Sequence, residues 1–98
     1  MSDKSEYVIV RSVHAGVFAG ILVEKAGDEV IMSNCRRLWY WAGAASLSQL
    51  ATTGTCKPGQ CKFPAPVRLI TVLGVIEIIR CTTEAQRSIE EVPVWKII

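Results

Sequence analysis

Residues 34–54 read Asn-Cys-Arg-Arg-Leu-Trp-Tyr-Trp-Ala-Gly-Ala-Ala-Ser-Leu-Ser-Gln-Leu-Ala-Thr-Thr-Gly, and within them the chain passes from strand to helix. Arg36 to Trp41 carries the aromatic content of a strand. Residues 42–45 are small and break that pattern. Ser46 followed by Gln49 fits a capping box, and Leu47, Leu50 and Ala51 recur at helical spacing. Gly54 stands where a helix closes in the left-handed conformation. Two turns of helix are too short to persist alone in water, so this helix must pack on a sheet.

The same stretch gathers most of the recognition chemistry in the chain. Arg36 and Arg37 are planar cationic forks suited to phosphate or carboxylate. Trp39, Tyr40 and Trp41 are flat faces on which a base can stack. The helix start at Ser46 offers main-chain N–H groups to an anion. In a regular strand Arg36, Leu38 and Tyr40 share one face, and Arg37, Trp39 and Trp41 share the other. Burial of the two tryptophans leaves Arg36 and Tyr40 outward as a cation–aromatic pair. Burial of Leu38 and Tyr40 instead sets Arg37 beside two exposed tryptophans, as a ligand platform or an interface. Both arrangements are open on sequence grounds.

Working outward toward the N-terminus, Glu29–Ser33 reads as a strand. So does Val17–Glu24, in which Gly20 marks a bulge or a close backbone approach, and so does Tyr7–Val13. Short turns at 14–16 and 26–28 make these an antiparallel meander. Residues 1–5 read as a loose tail. Toward the C-terminus, residues 55–66 contain Pro58-Gly59, Pro64 and Pro66 and read as a surface loop. Val67–Val72 and Val75–Cys81 are two further strands. Thr83 with Gln86 forms a second capping box, and Ala85, Ile89 and Val92 mark the apolar face of a helix that Pro93 stops. Residues 94–98, with Trp95, read as a docked apolar tail. The expectation is one α+β domain over residues 1–98. It has a single antiparallel sheet of about six strands and two short helices, in the order ββββ-α-ββ-α.

Half of the 98 residues are apolar and 20% are charged, as in a globular protein. A net charge of +2 is too small for a duplex nucleic-acid binder, so any basic site must be local. The N-terminus lacks the apolar core of a signal peptide, and the run 67–79 is interrupted by Arg68 and Glu77 and too short to span a bilayer. The expected location is the cytoplasm, with no membrane partner. The four cysteines, 35, 56, 61 and 81, are expected as free thiols. Cys56 and Cys61 resemble half of a loose zinc knuckle, but no second pair lies near, so neither metal nor cofactor is expected. The single histidine, His14, lies in a turn. Glu77 is the one carboxylate inside a strand, open to burial or to pairing with an arginine. The sequence carries no nucleophile-elbow, P-loop or zinc-protease pattern, and no enzyme is expected.

The motif Arg36-Arg37-Leu38-Trp39-Tyr40-Trp41, followed by Gly43-Ala44-Ala45-Ser46-Leu47-Ser48-Gln49-Leu50-Ala51, resembles a family of short phage and prophage proteins described as a domain of unknown function. Ala15-Gly16-Val17, Lys62-Phe63 and Glu77-Ile78-Ile79 are similar to it too, so the resemblance covers nearly the whole chain. It implies the setting of a phage accessory protein. By fold-level analogy, it implies likeness to the anti-Thoeris and related sponges, which sequester cyclic nucleotide immune signals and assemble into oligomers. The functional expectation is therefore a non-catalytic binder of a phosphorylated nucleotide signal, acting as a homo-oligomer against host defence. Arg36, Arg37, Trp39, Tyr40, Trp41 and Ser46 are its expected ligand residues. The alternative is a module that docks on a host protein.

Overall fold

The first strand, β1 (Glu6–Ser12), is buried on both faces: Tyr7 and Ile9 on one side and Val8 and Val10 on the other. An antiparallel sheet usually covers only one of its faces, so both sides of this strand need a lid. The computed structural model, which describes residues 6–96, shows two different lids.

After β1 come β2 (Gly16–Ala26), β3 (Glu29–Arg37), α1 (Leu47–Thr53), a short 3-10 turn at Pro58–Gln60, β4 (Val67–Val72), β5 (Val75–Arg80) and α2 (Thr83–Glu91). The strands form one antiparallel sheet in the order β4-β3-β2-β1-β5. One face packs against the helices. There Tyr7, Ile9, Ala19 and Leu38 meet Leu50, Ala51, Phe63, Ile89 and Val92. The other cluster holds Val8, Val10, Phe18, Val30, Met32, Cys35 and Val72, flanked by Ile70, Val75 and Ile78. Its residues come from the five strands and an adjoining turn, so the sheet itself bends around them. The link from β4 to β5 supports this. Only Leu73 and Gly74 separate strands at opposite edges of the sheet, which draws those edges toward each other at that end.

The structure has five strands rather than six. The expected third and fourth strands, 29–33 and 36–41, are one strand to Arg37, and Asn34 is a bulge within it at φ 46°. Ala19 pairs with Arg36 and Ile21 with Ser33, so Gly20 alone faces both Asn34 and Cys35. A two-against-one count of this kind is a β-bulge. Gly20 permits it: a Cβ there would stand 2.7 Å from Cys35 Cα. The strand ends early, and Tyr40 keeps only an isolated bridge to Lys62. The observed order is therefore βββ-α-ββ-α.

Both helices begin on a side-chain cap. Ser46 Oγ accepts from Gln49 N–H at 3.2 Å, while Gln49 Oε1 accepts from Ala45 N–H at 2.8 Å. For α2 the cap is Thr82 rather than Thr83. Its hydroxyl accepts from Ala85 N–H at 3.0 Å and donates to Thr52 O at 2.6 Å, which fastens α2 to the end of α1. Gly54 closes α1 at φ 79° as expected. Beyond α2, Val94 pairs with Phe63, and Trp95 N–H donates to Phe63 O at 3.1 Å. The expected loose tail at 1–5 and the end of the docked segment at 97–98 lie outside the described residues. Among the described residues, no helix is long and apolar enough to cross a membrane.

Candidate functional site

The bulge at Asn34 decides where the two arginines go. Side chains alternate along a strand, and one extra residue reverses the alternation beyond it. Val30 and Met32 point into the sheet-enclosed core, and past the bulge Cys35 does so as well. Arg36 is thereby turned toward the helices and Arg37 away from them.

Arg36 is 3% exposed. Its guanidinium donates to four main-chain carbonyls: Pro64 at 3.0 Å, Phe63 at 2.6 Å, Ile89 at 3.0 Å and Val92 at 3.0 Å. Among the described residues these acceptors are all neutral. Two of them, Ile89 O and Val92 O, belong to the last turn and the cap of α2, where the helix dipole is negative. That helix has no basic residue of its own in its last turn, and β3 supplies the cation from across the core. The guanidinium carbon also stands 5.5 Å from the centre of the Phe63 ring. Burial lowers the Arg36 pKa from its ordinary value, partly offset by Tyr7 and Cys61, yet arginine keeps its charge in proteins. The expected phosphate fork is thus a structural clamp, with its donors taken by the fold.

Arg37 is exposed and is held at the β1–β2 turn. Its Nη1 donates to Ala15 O at 2.6 Å, and its guanidinium lies 4.5 Å from the centre of the Phe18 ring. Arg36 and Arg37 fall on opposite faces, as strand alternation predicts. Ser46 is occupied as well. Its hydroxyl holds Gln49 N–H, and α1 is only seven residues long. The N–H groups expected for an anion are partly satisfied within the chain.

The aromatic residues divide. Leu38 is buried, Trp41 is half-buried against the helix-side core, and Trp39 and Tyr40 are 64% and 51% exposed. Neither regular alternation holds, because the strand has ended. The chain instead runs antiparallel to residues 61–63: Trp39 N–H donates to Lys62 O at 3.1 Å and Lys62 N–H to Tyr40 O at 2.7 Å. Phe63 in turn bonds Trp95 N–H. Three stretches distant in sequence thus lie side by side. On their surface the Lys62 ammonium stands 5.8 Å from the centre of the Tyr40 ring and 5.6 Å from that of Trp95. Each contact is within cation–π range.

The candidate site is therefore Tyr40, Lys62 and Trp95, two aromatic rings around one cation, with the exposed Trp39 preceding Tyr40 in the chain. Trp39 and Tyr40 come from the sequence motif. Lys62 and Trp95 were not expected in it, because pairing between segments this far apart leaves no local periodicity. The only signal was Lys62-Phe63 within the loop.

The acidic and sulfur residues lie elsewhere. Glu77, the one carboxylate inside a strand, accepts from Arg11 Nε at 2.8 Å, directly across the β1–β5 pairing. Cys61 is buried and Cys56 exposed, both free thiols. Burial pushes the Cys35 thiol up to about 12, against a smaller opposing effect of Arg37, and pushes Cys81 up to about 11. Both are protonated and poorly nucleophilic near neutral pH. Among the described residues, no group of three or more His, Cys, Asp or Glu is placed to hold a metal.

Residues 5–89 match a protein family described as a domain of unknown function, DUF6948. No curated protein and no solved structure matches the chain.

Proposed function

The chain belongs to the DUF6948 family of domains of unknown function, and since that family carries no activity over, we propose from its own surface that it is a non-catalytic nucleotide-binding protein. The ligand is a phosphorylated nucleotide whose base stacks on Trp39 or Tyr40 and whose phosphate meets Lys62. The observation that carries this reading is the Lys62 ammonium within cation–π range of both the Tyr40 and Trp95 rings, with Trp39, the residue before Tyr40, exposed. Stacking on an aromatic face contributes about 1–3 kcal/mol per base, and a lysine is a point-charge partner for phosphate. Sequestration needs only such contacts and no chemistry. The wider setting is a phage accessory protein in the host cytoplasm, holding a cyclic nucleotide immune signal as a homo-oligomer. It accounts for binding without catalysis, and it rests on the sequence resemblance.

The openness of the platform favours one second reading, a docking surface for a host protein. Exposed Trp and Tyr beside a cation are also what binding hot spots are made of. The test is titration of cyclic dinucleotides and ADP-ribose derivatives into the protein by calorimetry. Trp39→Ala and Lys62→Ala should each weaken binding by about tenfold, in line with the stacking energies above. Circular dichroism should be unchanged, because Trp39 and Lys62 are exposed. Unaltered affinity in both variants overturns the assignment of the site.

A further inference from the structure

The two edges of the sheet are guarded differently. The outer strand β5 carries Glu77, paired to Arg11 at 2.8 Å, and Arg80, paired to Glu6 at 3.1 Å. Charges on an edge strand discourage further pairing. The opposite edge, β4, pairs only with β3. Alternate N–H and C=O groups of such a strand turn outward. Among the described residues, those of Val67 to Thr71 have no main-chain partner beyond β3. Val67 and Leu69, on one face of the strand, are 49% and 61% exposed. Where β4 approaches the β1–β2 turn, a cavity of about 430 Å³ lies at the end of this edge, lined by His14, Ala15, Thr71, Leu73 and Gly74. Arg68 is the one charged residue of β4, and neither the strand nor the cavity lining includes a carboxylate.

We infer that this edge takes an extended peptide segment of a partner protein, added as a further strand antiparallel to β4. A row of outward N–H and C=O groups at strand spacing is satisfied by another main chain, which neither a small molecule nor an apolar surface supplies. Residues directly opposite each other in an antiparallel pair share a face. The peptide residues opposite Val67 and Leu69 are therefore apolar and lie on their side of the sheet. The residue opposite Arg68 lies on the other side and is acidic, because a cation without a carboxylate near it on the edge selects one across the strands. Beyond Thr71 the peptide runs toward the cavity, where an apolar side chain packs on Ala15 and Leu73. In recognition of this kind the main chain supplies affinity and the pocket supplies specificity. A second copy of β4 brings an arginine and no carboxylate, so it does not meet the charge requirement. The edge uses no residue of the aromatic platform, so its success or failure is separate from that of nucleotide binding.

The test is fluorescence anisotropy of the full chain with a fluorescein-labelled peptide, Leu-Thr-Val-Val-Glu-Val. Its leucine is the anchor and its glutamate falls opposite Arg68. The wild type should bind it saturably at micromolar concentration. Two versions methylated on alternate main-chain nitrogens, in complementary sets, should differ by tenfold or more, since only one set faces β4. Arg68→Glu should weaken binding about two- to thirtyfold, and lysine in place of the peptide's glutamate should restore it. Leu73→Asp should weaken binding about tenfold or more by removing the apolar wall of the cavity. Arg68 and Leu73 are exposed, and circular dichroism checks that both variants are folded. Absence of binding to the wild type, equal affinity for the two methylated peptides, or unchanged affinity in folded Arg68→Glu and Leu73→Asp overturns the inference. So does a dimer of the chain that the peptide dissociates, since a second copy then occupies the edge.

Discussion

Replacing Arg36 by alanine is expected to lower the folding free energy by about 4 kcal/mol or more, read as a shift of the urea midpoint followed by tryptophan fluorescence. Four carbonyls lose the guanidinium at once, and of these Phe63 O and Ile89 O keep main-chain donors in Trp95 N–H and Val92 N–H, while no main-chain donor replaces it at Pro64 O and Val92 O among the described residues. Hydrogen bonds to a charged group contribute about 1.5–3 kcal/mol each, and a buried acceptor left unpaired costs about 1–3 kcal/mol. The sum is not additive, since the loop at Phe63 and Pro64 can relax toward water. The carbonyls at the end of α2 have less freedom, because Ile89 and Val92 are buried in the core. The dipole at that helix end also loses the one buried cation it has among the described residues. For a domain whose whole stability is about 5–15 kcal/mol, this change leaves little. Arg36→Lys should recover only part, since an ammonium has three donors and cannot fork to four acceptors. A midpoint for Arg36→Ala close to that of the wild type would contradict the clamp.

Gly20→Val is expected to cost about 3 kcal/mol or more, a magnitude typical of forced overpacking. It should also disturb the β2–β3 register. The first atom added, Cβ, stands 2.7 Å from Cys35 Cα, 2.9 Å from Cys35 Cβ and 3.0 Å from Ser33 O. Two of these atoms are backbone, so no rotamer change relieves the contact. The strands must separate at the bulge that turns Arg36 toward the helices, so the two substitutions act on one feature and should not be additive. Hydrogen exchange checks this: amides of Ser33 to Arg37 should lose protection in Gly20→Val before those of β1 do. Uniform protection across β3 would show that the bulge adapts.

What was legible in the sequence follows from how local each signal is. Ser46, Gln49 and Gly54 define α1 within nine positions, and the structure has the cap, the helix and the left-handed close there. Gly20 was legible as a close approach because only a missing side chain allows one. Asn34 was not. An Asn-Cys pair between two apolar runs reads as a turn, whereas the bulge that Gly20 permits across the sheet keeps one strand continuous. The sequence left open which arginine faces the core, and the bulge decides it, since every side chain after a bulge changes face. Lys62 and Trp95 were legible only as isolated residues. Their meeting depends on residues 61–63 being caught between the end of β3 and the segment after α2. Antiparallel character and helix order are set by such short-range patterns. The site is assembled by contacts across the chain.

The most direct test of the central claim is native mass spectrometry of the wild-type protein with cyclic dinucleotides and ADP-ribose derivatives added in volatile buffer. The nucleotide reading predicts a mass increase of one ligand per site, saturable, lost in Trp39→Ala and Lys62→Ala, with the ligand recovered unchanged. A protein that gains no mass from any of them, or whose ligand is recovered as a reaction product, contradicts it.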